Sequence, residues 1–162
     1  MKLYHGSNQI IKVPDLSKSR KYLDFGKGFY LSVAKKQAES RALSSRRFFN
    51  KGIPTVNIYE YNDLNNNLNI MIFNTADINW LDFVIANRRG ESVNQHDIII
   101  GPTANDKTIL TIDQYMQGIF AHLDNPKEMV IKMLLPEKLD TQYLFTTKKA
   151  LGFLDFIETY EI

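Results

Sequence analysis

The chain has 162 residues, 44% of them hydrophobic, and its 20 Lys/Arg against 18 Asp/Glu leave a formal net charge of +2. That length and apolar content fit one domain with a buried core and exclude a disordered chain. The absence of cysteine excludes disulfides and thiolate metal sites, and the three histidines, His5, His96 and His122, lack metal-ligand spacing, so no metal is expected.

Residues 2–5 predict a short strand closed by Gly6-Ser7-Asn8. The N-terminus lacks the apolar core of a signal peptide, and no apolar run approaches the ~18 residues of a membrane-spanning helix, so a cytoplasmic protein is expected. Residues 8–23 have no period and contain Pro14, Lys18, Arg20 and Lys21, which reads as a basic loop able to lie over a site. Gly26-Lys27-Gly28 leads into a strand over 29–32, with Tyr30 on the face opposite Phe29 and Leu31. Ala34 to Phe49 predicts a helix with Ser32 as its N-cap. Ala34, Ala38 and Ala42 form a stripe of small residues that lets it lie close to a sheet. Residues 17–51 hold ten Lys/Arg against Asp24 and Glu39, a local balance of +8, whereas 52–162 hold eight Lys/Arg against fifteen Asp/Glu, a balance of −7. A basic band beside the glycine turn suits an anionic ligand such as a pyrophosphate, or a nucleic-acid strand.

Thr55–Tyr61 alternates as a strand, residues 62–67 read as a polar turn, and 70–73 as a brief strand. Ala76–Arg88 predicts a well-buried helix with Ile78, Leu81 and Ile85 on one face. The apolar run 97–102, closed by Gly-Pro, predicts a central strand. Helices are expected over 107–123, capped by Asn105 or Asp106, and over 126–135. A strand over 141–146, a short helix over 148–153 and a last strand over 156–160 complete a mixed order, which is the α+β class.

Three positions carry candidate chemistry. His5 can bond a hydroxyl while Gly6 beside it exposes backbone groups to a ligand amide. Tyr30, entered through Gly26-Lys27-Gly28, offers a flat ring for stacking. Gln142 stands where a late strand begins.

Together these stretches resemble a known family. Leu3-Tyr4-His5-Gly6-Ser7 is similar to the Leu-Trp-His-Gly-Ser segment of poly(ADP-ribose) polymerases, and Phe25-Gly26-Lys27-Gly28-Phe29-Tyr30-Leu31 to their Phe-Gly-Lys-Gly-Ile-Tyr-Phe segment, in the same order. The chain also resembles small bacterial ADP-ribosyltransferase-like toxins of toxin–antitoxin pairs. The resemblance implies a single ADP-ribosyltransferase-like domain over residues 1–162, built on a split antiparallel sheet that binds NAD in a cleft between the His5 and Tyr30 rings. It implies that His5 bonds the adenosine-side ribose, that the Gly6 backbone holds the nicotinamide carboxamide, and that Tyr30 stacks on the nicotinamide. Ser7, Lys27 and Gly28 fall in the same motifs, and Ser40 is a partial substitute for a family serine on the next helix, where this chain has Ala38 and Arg41. Gln142 occupies the position of the family's catalytic glutamate and keeps an acceptor without the charge, with Asp140 or Glu137 as carboxylates able to supply it.

The expected function is mono-ADP-ribosyl transfer from NAD to a protein or nucleic acid, as a toxin with an antitoxin partner. The alternative is a weak or inactive module that binds NAD or ADP-ribose.

Overall fold

The computed structural model describes residues 1–62, 67–92, 94–104, 106–134 and 139–162. In chain order the elements are β1 (Lys2–Ser7), β2 (Phe29–Ser32), α1 (Lys35–Phe49), β3 (Thr55–Tyr61), β4 (Ile70–Ile72), α2 (Ile78–Arg89), β5 (Ile98–Pro102), α3 (Asp106–Met116), α4 (Pro126–Leu134), β6 (Thr141–Phe145), α5 (Lys148–Leu151) and β7 (Leu154–Glu161), with a 3-10 turn at Leu16–Lys18. The class is α+β.

The strands form one seven-stranded sheet in the order β4-β5-β6-β2-β1-β3-β7. It is mixed, because β4 runs parallel to β5 while every other neighbour pair is antiparallel. This corrects the wholly antiparallel expectation: the passage from β4 to β5 runs through helix α2, a crossover that permits parallel pairing.

Residues opposite one another in a ladder share a face. One face carries Tyr30, Leu144 and Ile99 against Trp80, Leu81 and Val84 of α2, Ile112 of α3 and Val130 of α4. The same face carries Tyr4, Val56 and Ile58 against Ala38 and Ala42 of α1. The other face carries Leu3, Phe29, Leu31, Tyr59 and Phe145 under Ala150 of α5 and the chain at Ile11 and Leu16.

The small-residue stripe does what its spacing predicts. A Cβ at Gly6 would overlap the Ala38 carbonyl oxygen and lie 2.6 Å from the Ala42 nitrogen, so only glycine lets α1 come this close to β1.

Two expected boundaries move. The helix predicted to reach residue 123 stops at Met116. Gly118 takes φ +79, its N–H donates to Tyr115 and the N–H of Ile119 donates to Gln114, a Schellman closure. Asp106 lies inside that helix, and Asn105 lies outside the described residues, as do Glu137 and most of the expected turn over 62–67. The N-cap of α1 is Ala34; Ser32 acts two residues earlier, its Oγ accepting from the Ala34 N–H at 3.0 Å. On α2, Leu81 and Ile85 are buried with Trp80 and Val84, while Ile78 stands exposed in the first turn. Among the described residues no helix is long and apolar enough to cross a membrane, and no group of three metal-capable side chains occurs.

Candidate functional site

The two motif strands meet at one point. β1 and β2 share a single registered pair, Tyr4↔Ser32, whereas the other neighbouring strands share three to seven. Past that pair a side chain replaces the ladder: His5 Nδ1 donates to the Tyr30 carbonyl oxygen at 2.7 Å. A carbonyl only accepts, so Nδ1 carries the proton and Nε2 keeps its lone pair. Burial lowers the His5 pKa from 6.5, outweighing the opposite pull of the bond to Tyr30, so the ring is neutral at pH 7. The ring stacks on Phe29, with centroids 4.3 Å apart.

Tyr30 points the other way. Its ring packs into the core cluster that α2, α3 and α4 build on the helical face. Its hydroxyl donates to the Gly26 carbonyl at 2.7 Å and accepts from the Phe25 N–H at 3.1 Å. Burial, and then the nearby Asp24 carboxylate, raise the phenol pKa far above 10, so it stays protonated. The imidazole and the phenol therefore leave the sheet on opposite faces. They do not form opposing walls of one crevice, as the sequence suggested. The cause is the period of two: with Tyr4 opposite Ser32, His5 falls opposite Leu31 and shares its face, one residue out of phase with Tyr30.

What does lie beside Tyr30 is Gln142. Ser32 pairs with Gln142 and Tyr30 with Leu144, so the Gln142 side chain leaves the same face one rung diagonally from the phenol. Gln142 is 6% exposed. Its Oε1 accepts from Thr103 Oγ1 at 3.3 Å, and its Nε2 is buried without a hydrogen-bond partner. Thr103 Oγ1 accepts from Gln37 Nε2 at 2.7 Å, and Gln37 Oε1 accepts from the Ser32 hydroxyl. A polar chain thus runs from the Ala34 N–H at the start of α1 to an unpaired donor on β6. Buried polar groups nearly always have partners, so an orphan in such a network marks a strained or ligand-facing position.

Two cations stand near Tyr30: Arg41 of α1 and Arg20 of the 8–23 segment both act electrostatically on the phenol. Arg41 Nη2 reaches the Ala104 carbonyl at 3.5 Å, which joins α1 to the segment after β5. Arg20 lies over the Phe48 ring at 5.3 Å. Among the described residues neither forms an ion pair.

The remaining candidates are placed as follows. Gly6 has a packing role under α1, and Ser7 is buried in the β1–β3 ladder, paired with Thr55. The Gly28 N–H and C=O are both bonded to Ser19 Oγ, at 2.7 and 2.8 Å. Lys27 is exposed, as is Ser40 on α1, and the Asp140 side chain is exposed while its backbone oxygen accepts from the Thr103 N–H at 2.8 Å. Sequence reasoning missed Gln37, Thr103 and Arg88. Arg88 holds Asp24 at 2.7 Å and Asp113 at 2.7 Å and so ties the glycine turn to α2 and α3. No local motif marks these three; the helical spacing that puts Gln37 one turn before Arg41 is the available signal.

Residues 1–156 match the family described as Protein of unknown function (DUF3990). The chain belongs to this family. The match spans both motif strands, the polar chain to Gln142 and the start of β7, so the site described above lies wholly within the DUF3990 region. No curated protein and no solved structure matches the chain.

Proposed function

We propose that this chain is an NAD-dependent mono-ADP-ribosyltransferase that acts as a bacterial toxin, modifies a protein or a nucleic acid, and is held in check by an antitoxin. The observation that carries the proposal is the junction of β1 and β2. The two stretches that resemble the polymerase motifs lie on neighbouring strands that part after one registered pair, and the His5 imidazole sits on the Tyr30 carbonyl in the gap. In this proposal that junction is the split of an ADP-ribosyltransferase-type sheet. Because the two rings face opposite sides of the sheet, the dinucleotide in this proposal crosses the split between β1 and β2, with a ribose hydroxyl donating to His5 Nε2 and the nicotinamide on the Tyr30 side, where Arg20 and Arg41 attract the pyrophosphate. Gln142 stands where a carboxylate would stabilise the oxocarbenium-like transition state. Losing such an electrostatic contribution costs roughly 3–4 kcal/mol, or about 10²–10³ in rate, so turnover is slow and favours single transfer over polymer growth.

A second proposal has a specific observation in its favour. The neutral Gln142 and the opposite-facing His5 and Tyr30 rings suit a module that binds NAD or ADP-ribose without efficient transfer. The two are separated by measuring nicotinamide release from labelled NAD, transfer of label to protein and nucleic acid of a cell extract, and calorimetric binding, for the natural chain and for Gln142→Glu. Release and transfer that rise with Gln142→Glu support the transferase. Tight binding without turnover in either protein supports the module. Absence of both binding and turnover refutes both.

A further inference from the structure

A cavity of about 420 Å³ lies at the opposite end of β6 from Gln142, and neither His5, Tyr30 nor Gln142 lines it. Thr146 at the cavity wall lies four residue steps from Gln142, or roughly 13 Å at strand rise. The volume falls in the usual range of small-molecule sites, about 300–1,000 Å³. Its walls are built from the turn before β2 (Gly26, Lys27), the end of α2, the residues that lead into β5 and those that follow β6.

The chemistry of the lining is one-sided. Lys21 and Lys27 both border the cavity, and no Asp or Glu is among its lining residues. Among the described residues neither lysine has an ion-pair partner.

The groups that shape the walls are already spent. Asn94 clamps the His96 backbone on both sides, at 2.9 and 3.1 Å, and the Thr146 hydroxyl donates to the His96 carbonyl. Thr147 Oγ1 donates to Asp97 at 2.6 Å and Asn87 Nδ2 to Phe83 at 2.9 Å. By contrast the side chains of Ser92 and Gln95 and the His96 ring, which also line the cavity, have no hydrogen-bond partner among the described residues. Fixed walls with unspent donors and two unpaired ammonium groups are the pattern of a pre-formed anion site.

The volume exceeds what one phosphate needs, and the rim supplies a ring. Tyr22 is 63% exposed and holds φ +61, a region that non-glycine residues rarely adopt. Its ring lies against Gly90, so the backbone is held in an unfavourable conformation with an aromatic surface at the cavity edge.

We propose that this cavity is a binding site for a phosphate ester of nucleotide size, with Lys21 and Lys27 on the phosphate and Tyr22 beside the base. The site stands on its own residues and does not depend on the transferase proposal.

The test is calorimetry of the full chain with AMP, adenosine, and a short oligonucleotide with and without a 5′-phosphate. AMP is expected to bind one per chain and adenosine at least about tenfold more weakly. Lys21→Ala and Lys27→Ala, both exposed, are each expected to weaken AMP by about tenfold, whereas Lys132→Ala, exposed on α4 and outside the cavity, leaves it unchanged. A phosphorylated oligonucleotide that binds as tightly as AMP assigns the phosphate to a nucleic-acid end, and binding of AMP alone assigns it to a free nucleotide; either supports the site. Equal binding of adenosine and AMP, loss of AMP binding in Lys132→Ala with retention in the Lys21 and Lys27 variants, or no AMP binding at millimolar concentration overturns it.

Discussion

Replacing Gln142 by leucine should raise the stability of the fold, although the residue is buried at the centre of the sheet. The side chain makes one long bond, from Thr103 at 3.3 Å, and leaves Nε2 buried and unpaired. An unsatisfied buried donor costs about 1–3 kcal/mol, whereas one ordinary hydrogen bond contributes about 0.5–1.5 kcal/mol. Leucine removes the first but leaves the Thr103 hydroxyl proton without its acceptor, two costs of similar size that offset each other, and it adds apolar contact, about 0.8 kcal/mol per buried CH₂, on a face that already holds Leu144 and Ile99. The balance is a gain of about 1 kcal/mol, which at a typical urea m-value of ~2 kcal/mol/M moves the unfolding midpoint up by about 0.5 M. Gln37→Leu has the opposite sign. It strips the Ser32 hydroxyl of its acceptor and Thr103 of its donor, and should cost about 1–3 kcal/mol. Urea unfolding followed by far-UV circular dichroism reads both. A Gln142→Leu midpoint lower by about 1 M or more would mean that Nε2 has a partner, and would refute the reasoning.

Three further outcomes are expected. The His5 pKa lies below its unfolded value of 6.5, so the stability this group contributes is complete above pH 6.5 and lost as pH falls towards its folded pKa. The slope in that window is about 1.4 kcal/mol per pH unit, and His5→Gln should flatten it in urea titrations at several pH values. Gly6→Ala drives a methyl into the Ala38 carbonyl, and overpacking of about 1–3 kcal/mol or more should show as a large fall in melting temperature; a fall of less than a degree would contradict the packing. Arg88→Met leaves Asp24 buried without its cation, which should cost about 3–5 kcal/mol near neutral pH. Urea unfolding reads this loss, and a loss below about 1 kcal/mol would show that the ion pair does not hold the turn.

Local signals made most of the elements legible. The alanine stripe of α1 and the glycine it rests on lie in two different stretches, yet each shows its half of a close helix-on-sheet contact. The strand at Tyr30 and its facing were readable from alternation, because Phe29 and Leu31 fall on one core face and Tyr30 on the other. What could not be read was relative phase. Whether His5 and Tyr30 share a face depends on the registration of Tyr4 with Ser32, a long-range fact that no local pattern encodes. The end of α3 was missed for a related reason: the apolar period continues past Met116 through Ile119 and Phe120, and a left-handed glycine at 118 overrides it. Gln37 and Thr103 stand 66 residues apart and become partners only when α1 and the end of β5 come together.

The polarity of the Gln142 site follows from a backbone amide. The Ala34 N–H can only donate, so Ser32 Oγ accepts there and turns its own proton to Gln37 Oε1. That fixes Gln37 Nε2 as the donor to Thr103, whose remaining proton goes to Gln142 Oε1. Reversing either amide would leave a hydroxyl proton, on Ser32 or on Thr103, without its acceptor. The free end of Gln142 is therefore an N–H, so it offers a donor to any partner, where sequence reasoning had expected an acceptor. Glutamate at this position would keep the bond from Thr103 and exchange the unpaired donor for an unpaired carboxylate oxygen. Burial would raise the pKa of that carboxyl, and the Arg41 and Arg20 cations near Tyr30 would oppose the rise. Hence the charge that Gln142→Glu restores should depend on pH, and the comparison of the two proteins is most informative on the alkaline side of neutrality.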